Sequence, residues 1–287
     1  MKKQKVWFIT GASRGFGLDI AKAALAIGDK VVATVRSKAD QLTATLAHNP
    51  DLLVVTLDVT NEAQVKEGVQ KAIARFGQVD VLVNNAGYGL LTATEEATDA
   101  EVRKQYDTNV FGLLNVTRAI LPFMRAKKSG HVINVSSLFG YGATAPGFGL
   151  YGSTKYAVEG ISEGLALEVK PLGIRVTAIA PGLFSTDFLA GDSYVASANV
   201  LDAYAATVGQ VRVAATQLHG NQPGNPAKLA QVVIRLAGSE NPPLHLPIGK
   251  DAVDNFRNSA ARAEKDVAAW EDVSRSTDHV KAAVASN

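Results

Sequence analysis

Lys5-Val6-Trp7-Phe8-Ile9-Thr10-Gly11-Ala12-Ser13-Arg14-Gly15-Phe16-Gly17 joins a β-prone run to a glycine-rich turn, and the fold turns on it. Residues 5–10 are short, apolar and β-prone, and residues 18–27 behind the glycines are Ala-rich and helix-prone. Strand, glycine turn and helix in that order are what a dinucleotide site needs. Glycines let the backbone turn tightly and approach a pyrophosphate, and the helix N-terminus offers unpaired N–H groups and a positive dipole end to the phosphates. The spacing is G-x-x-x-G-x-G rather than the more familiar G-x-G-x-x-G, so an ordinary strand-to-helix turn remains an alternative at this point.

Outward from this unit, further strands are expected near residues 30–35, 52–58, 79–84, 131–136, 175–180 and 244–247, with helical patterns between them. Strands alternating with helices argue a parallel sheet with right-handed crossovers. Thr98 with Glu101 three residues later forms a capping box for a helix from Asp99, and Asn225 before Pro226 marks another helix start. The 287 residues, 47% of them hydrophobic, can bury one sizeable α/β core, and the expectation is a single domain over 1–287. Within it, residues 183–224 are the least regular stretch and are expected to form a substrate lid. Residues 249–275, with Phe256 and Trp270, are expected to form a C-terminal helical extension.

Net charge is only +2 with both signs interspersed, so no nucleic-acid partner is indicated. There are no cysteines, which excludes disulfides and thiolate metal sites, and the five histidines show no ligand spacing, so no metal is expected. Met1-Lys2-Lys3-Gln4-Lys5 looks like the charged start of a signal peptide, but the apolar stretch behind it stops at Gly11. No run approaches the length of a membrane span, and the expectation is a soluble, cytoplasmic protein.

Tyr151-Gly152-Ser153-Thr154-Lys155 carries the chemistry. A phenol has an unperturbed pKa of about 10, far from that of a useful acid or base near neutrality. On a helix, residues i and i+4 share a face, so the Lys155 ammonium would sit beside the Tyr151 ring and favour the phenolate. Bringing the phenol near neutrality would take on the order of 4 kcal/mol, from Lys155 and a second positive charge such as an oxidised nicotinamide ring. Alone, the spacing also fits a surface cation–aromatic pair. At the end of the second strand stands Arg36, where an NAD site usually places a carboxylate on the ribose 2′-hydroxyl. A guanidinium can instead bind the 2′-phosphate of NADP through two charge-assisted hydrogen bonds, with Arg14 and Ser13 close enough to assist. A solvated loop over Arg36-Ser37-Lys38 is the plainer alternative.

Asn84-Asn85-Ala86-Gly87 after one strand and Pro181-Gly182-Leu183-Phe184-Ser185-Thr186 after another complete an ordered set. With the glycine loop, Leu57-Asp58-Val59, Asn109, Ser137, and Tyr151 with Lys155, the chain resembles the short-chain dehydrogenase/reductase family over roughly residues 5–186. The resemblance implies a Rossmann-type, doubly wound parallel sheet of about seven strands and a nicotinamide cofactor. It implies that Tyr151 is the general acid or base, that Ser137 bonds the substrate oxygen, and that Lys155 tunes Tyr151 and holds the nicotinamide ribose. Asn109 would position a water linking Lys155 to solvent. Gly11, Ser13, Arg14, Gly15, Phe16 and Gly17 would cradle the diphosphate end, Asp58 and Val59 the adenine, and Asn85, Ala86 and Gly87 the adenosine ribose. Pro181 and Gly182 would bind the cofactor at its nicotinamide end, and Phe184 and Thr186 would contact the carboxamide. The interval from Ser137 to Tyr151 is one residue longer than the family's commonest, with glycines able to absorb it and Ser136 as the fallback.

Tyr88, Leu91, Tyr141, Phe148, Phe184, Phe188, Leu189 and Tyr194 are expected to line an apolar substrate pocket. The expectation is therefore an NADP(H)-dependent oxidoreductase interconverting an apolar ketone or aldehyde with its alcohol. A non-catalytic NADP-binding sensor, and an epimerase or dehydratase of the same broad fold, are the alternatives. The longer C-terminus resembles a branch that includes steroid- and retinoid-like dehydrogenases. Family members commonly pair two long helices between subunits, so a homodimer or homotetramer is expected through residues 99–127 and 152–169.

Overall fold

Val6–Ile9 (β1) sits at the centre of a seven-stranded sheet in the computed structural model, which describes residues 4–186 and 193–279. Around it run Lys30–Val35 (β2), Leu52–Thr56 (β3), Val81–Asn84 (β4), Gly130–Val135 (β6), Ile174–Pro181 (β7) and His245–Ile248 (β9). The spatial order is β3-β2-β1-β4-β6-β7-β9 and every pairing is parallel. These are the seven strands expected from the sequence, shifted by no more than two residues at either end. Because both faces are covered, the central strands are continuous apolar runs: β1 reads Val-Trp-Phe-Ile with all four residues buried.

Alternation along each strand divides the core in two. Trp7 and Ile9 face Gly15–Ala26 (α1) and Pro226–Gly238 (α8), while Val6 and Phe8 face Glu62–Phe76 (α3), Leu113–Lys127 (α5) and Gly149–Val169 (α6). Ala39–Thr45 (α2) closes the first layer through Leu42. The chain moves outward from β1 to β3 and returns to β4 on the other side of β1, so the carboxyl ends of β1 and β4 open a crevice where the strand order reverses.

Asp99–Tyr106 (α4) begins at the anticipated capping box, in which Thr98 Oγ1 accepts from Glu101 N–H and the Glu101 carboxylate accepts from Thr98 N–H. It does not run into α5 as a plain α-helix. Six residues, Asp107–Gly112, are π-helical and Asn109 lies among them, the kind of widened turn that recurs at functional sites. A Cβ at Gly112 would fall 2.5 Å from Val59 Cγ2, so this turn lies tight against the end of β3.

The stretch expected to be irregular has more order than its composition implies. Tyr194–Ala196 (β8) pairs in parallel with Gly89–Leu91 (β5), and Gln210–Leu218 (α7) follows a π-helical turn at Ala205–Gly209. Glu96 holds this stretch to the body. Its side chain is fully buried and accepts from Ala93 N–H, Leu201 N–H and the Arg212 guanidinium, and its carbonyl accepts from Ser197 and Asn199. Lys250–Arg275 (α9) packs by its first turns, with Ala252 and Asn255 buried and Phe256 edge-on to Tyr141. Residues 260–275 of α9 stand away from the body, and Trp270 is 64% exposed. Among the described residues no helix is long and apolar enough to cross a membrane, and no group of three or more acidic or histidine side chains is placed to hold a metal.

Candidate active site

The crevice between β1 and β4 is floored by the glycine loop. Gly11 and Gly15 have φ of +64° and +54°, a region that residues with a Cβ rarely enter. Gly17 lies one turn inside α1, where a Cβ would come within 2.4 Å of Gly11 O and 2.6 Å of Asn85 Nδ2. Gly17 therefore lets the helix close on the loop and does not line the crevice; Gly11, Ser13, Arg14, Gly15 and Phe16 do. Thr10 Oγ1 accepts from the N–H groups of Asn85 and Ala86, and Asn85 Nδ2 donates to the carbonyls of Thr10 and Gly11. The Asn85 side chain is thus committed to bracing the loop. No side chain caps α1, so its first N–H groups face the crevice without a side-chain acceptor.

Arg36, at the end of β2, is exposed and lines one end of the crevice with Arg14, Ser13, Asp58 and Val59. Neither guanidinium has a hydrogen bond or ion pair among the described residues. Asp58 Oδ1 accepts from the N–H and hydroxyl of Thr60, which holds its carboxylate in a local turn.

At the other end Tyr151, Lys155 and Ser137 meet. Tyr151 and Lys155 lie one turn apart on α6, 5% and 6% exposed, with Lys155 Nζ 5.7 Å from the Tyr151 ring centroid. Lys155 Nζ donates to Val135 O at 2.9 Å. Burial pushes the Lys155 pKa down to about 8, against the opposing pull of Glu159, so it remains an ammonium at neutrality. The lowered Tyr151 pKa expected from Lys155 does not appear in the chain by itself. Burial pushes the phenol up to about 12, and the group drawing it back is Ser137, whose hydroxyl hydrogen-bonds it. Lys155 Nζ, 5.7 Å from the ring centroid, is not among the groups that draw the phenol down. Ser136 Oγ instead donates to Lys155 O at 3.4 Å, so of the two serines Ser137 is the one on Tyr151.

Asn109 is 2% exposed, which excludes a surface role. Its Oδ1 accepts from Tyr88 N–H at 3.0 Å, and its Nδ2 donates to Tyr88 O at 2.9 Å and to Thr154 Oγ1 at 3.1 Å. It joins the loop after β4 to α6 from behind. A Cβ at Gly87, which does line the crevice, would lie 3.0 Å from Asn109 Oδ1 and 3.7 Å from Lys155 Nζ.

Of the residues expected to line an apolar pocket, Tyr88, Phe148 and Phe184 do so. Leu91 and Tyr194 form the layer behind: Leu91 is fully buried in the cluster beneath Phe139, Phe148 and Tyr151, and the Tyr194 ring packs on Phe148 at 6.4 Å. Tyr141 belongs elsewhere, since its hydroxyl donates to Glu159 at 2.9 Å and its ring meets Phe256 and His245. Phe188 and Leu189 lie outside the described residues. Pro181, Gly182, Phe184 and Thr186 line the crevice as expected, with Phe16 edge-on to Phe184 at 5.3 Å. Leu138 and Phe139, directly after Ser137, complete the apolar wall, and their adjacency to that serine was a signal available in the sequence. Gln222 also lines the crevice, and no local pattern marked it.

A nicotinamide dinucleotide fits this donor set and shape. The positive-φ glycines leave room for a backbone approach to phosphate, two guanidiniums stand without a carboxylate partner, and the Gln222 side-chain oxygen is buried without a partner among the described residues. Residues 5–193 match the family model described as short chain dehydrogenase. Oxidoreductase BOA17 of Botryotinia fuckeliana is 39% identical over 272 residues, covering 94% of this chain and 98% of that one. The crystal structure of a short-chain dehydrogenase from Streptomyces avermitilis superposes with a TM-score of 0.88 at 41% identity, covering 97% of this chain and 100% of the other. ElxO with NADP bound superposes with a TM-score of 0.72 at 28% identity, covering 88% of this chain and all of that one.

Proposed function

The chain belongs to the short-chain dehydrogenase family and is an oxidoreductase, and within that family we propose an NADP(H)-dependent carbonyl reductase, equally an alcohol dehydrogenase in reverse, acting on an apolar ketone or aldehyde. The observation that carries this reading is the buried Tyr151 phenol, hydrogen-bonded by Ser137 and one turn from the Lys155 ammonium, facing an apolar wall. When bound, the cofactor supplies the hydride. Tyr151, holding its proton at neutrality, gives it to the carbonyl oxygen, and Ser137 donates a hydrogen bond to the same oxygen as negative charge develops there. Lys155 stabilises the phenolate left behind and carries the charge needed to hold a ribose hydroxyl. Asn109 keeps the loop at Tyr88 fixed against α6 and, through Gly87, sets the space beside Lys155 in which a water would reload the proton. Phe139, Phe148 and Leu138 exclude bulk water from this step and favour an apolar substrate. A sensor without chemistry has no use for a phenol, an ammonium and a hydroxyl gathered in one buried place. The direct test is NADPH oxidation across steroid, aromatic and aliphatic carbonyls, and turnover of none of them would reject the reading.

The preference for NADP(H) is part of the proposal, and Arg36 with Arg14 supports it: both cations line the end of the crevice where β2 and β3 finish. Losing one hydrogen bond to a charged group costs about 1.5 to 3 kcal/mol, or roughly ten- to a hundredfold in affinity. Arg36→Ala is therefore expected to weaken NADPH by that factor and leave NADH nearly unchanged. Arg36→Asp is expected to go further, repelling the 2′-phosphate and offering the NADH ribose an acceptor. The ratio of kcat/KM for the two cofactors measures it; an unchanged ratio in both variants would place Arg36 in solvent.

We also propose a homodimer. Tyr156 and Leu167 on α6, 50% and 79% exposed, lie on one stripe with Gly160 and Gly164, and neither glycine has any atom within 4 Å of where a Cβ would be. Phe111, 54% exposed in the π-helical turn beside α6, extends this apolar surface.

A further inference from the structure

Gln222 stands at the far end of the stretch that follows β7, 36 positions beyond Thr186, yet it lines the crevice and is only 7% exposed. A short zipper places it there. Gly224 N–H donates to Leu183 O at 3.0 Å, Ser185 N–H donates to Gly224 O at 2.8 Å, and Phe184 and Gly224 form a parallel bridge. A Cβ at Gly224 would come within 2.6 Å of the Phe184 ring, so the two segments can close this tightly only over glycine. The Gln222 amide is therefore held two residues from a fixed point of the crevice wall. Its Nε2 donates to Thr186 O at 3.4 Å, and Oε1 is the acceptor end of the same amide. That oxygen is buried and has no partner among the described residues.

A buried amide oxygen left unpaired is costly, and the cost is removed when a donor arrives. The group that Oε1 recognises is thus an N–H or O–H donor. Its place narrows the choice. Gln222 belongs to the Phe184–Thr186 end of the crevice, and Arg36 and Asp58 belong to the adenosine end. A nicotinamide dinucleotide offers two kinds of donor away from its adenosine half: ribose hydroxyls, which Lys155 is placed to hold, and the carboxamide NH2. We propose that Gln222 is a cofactor-contacting residue whose Oε1 accepts a hydrogen bond from the nicotinamide carboxamide. Holding the carboxamide fixes which face of the ring is turned toward Tyr151. The assignment rests on the cofactor reading above and adds to it a residue drawn from the far end of the stretch after β7.

The test compares two ligands that differ in that donor alone. NADP+ has the carboxamide; its 3-acetylpyridine analogue has a methyl ketone and no N–H. Adenosine 2′,5′-bisphosphate, which lacks the nicotinamide half, reports whether the remaining site is intact. Dissociation constants are measured by calorimetry for the wild type, Gln222→Leu and the closer isostere Gln222→Met. A neutral hydrogen bond contributes about 0.5 to 1.5 kcal/mol, or roughly two- to twelvefold in affinity. Both variants are expected to lose that factor for NADP+ and to bind the acetylpyridine analogue and the bisphosphate as the wild type does. Equal losses for both dinucleotides, or no loss for either, with bisphosphate binding intact, would overturn the assignment. Absence of binding of all three ligands to the wild type would instead bring down the cofactor reading itself.

Discussion

In the proposed reaction Tyr151 is the residue on which the chemistry depends, and its surroundings set both its protonation and the consequence of removing it. With burial holding the phenol at about 12, it keeps its proton at neutral pH, and giving that proton up readily calls for a nearby positive charge to draw the value down. Oxidation would require the phenolate, and for that the Lys155 ammonium and the charge of an oxidised cofactor must act together, since Lys155 alone leaves the phenol high. Tyr151→Phe keeps the ring in the cluster with Phe139 and Phe148 and deletes only the hydroxyl. We expect kcat to fall by about a hundred- to ten-thousandfold with NADPH affinity within a few-fold of wild type. More than a tenth of wild-type kcat on a good substrate would exclude the role. The Tyr-x-x-x-Lys spacing was enough to pair these side chains, because i and i+4 on a helix always share a face. The pKa was not legible, because it depends on Phe139, Phe148 and the other side chains that tertiary packing gathers around the ring.

At the scale of elements, a buried carboxylate helps tie the segment from β8 to α7 to the body, beside the pairing of β8 with β5. The Arg212 hydrogen bond, followed by the Leu201 and Ala93 amides, holds Glu96 down to about 2, against a burial that would raise it. A carboxylate with a depressed pKa stabilises the fold fully above its ordinary pKa of about 4.5, and that contribution drains away as pH falls toward 2. Arg212→Met removes the cation and leaves a buried carboxylate with only amide partners. We expect faster limited proteolysis within 193–218 and a higher KM for the carbonyl substrate, with NADPH affinity little changed. Unaltered proteolysis would show that β8 and α7 hold the stretch without the ion pair. The capping box at Thr98 and the Asn225-Pro226 helix start were readable because caps are local hydrogen bonds. The pairing of β5 with β8 was not, because it joins short segments more than a hundred residues apart and no periodicity marks either.

For the whole molecule, the exposed stripe on α6 is the surface most in need of a partner. Leu167 is 79% exposed, and the open Gly160 and Gly164 earlier on the same stripe let another backbone approach closely. Leu167→Glu would set a carboxylate at this contact and, across a two-fold axis, its copy nearby. We expect the wild type to run as a dimer by light scattering and this variant to shift toward the 30.2 kDa monomer at micromolar concentration. A wild type that is monomeric would end the proposal. A variant that remains fully dimeric would move the interface elsewhere, with the exposed half of α9 and Trp270 the next surface to test.

By itself the sequence determined the glycine turn after β1, the alternation of strands and helices that makes the sheet parallel, and the pairing of Tyr151 with Lys155 on one helix face. Those features are local, or follow from periodicities of 2.0 and 3.6 that any strand or helix imposes. Tertiary structure alone decided the rest. It turned Asn85 inward to brace the loop, buried Asn109 in a π-helical turn, took Tyr141 away from the crevice to Glu159, and brought Gln222 into it. Each of these outcomes depends on which segments meet across tens to hundreds of residues, and a side chain's partner and exposure exist only after those segments have packed.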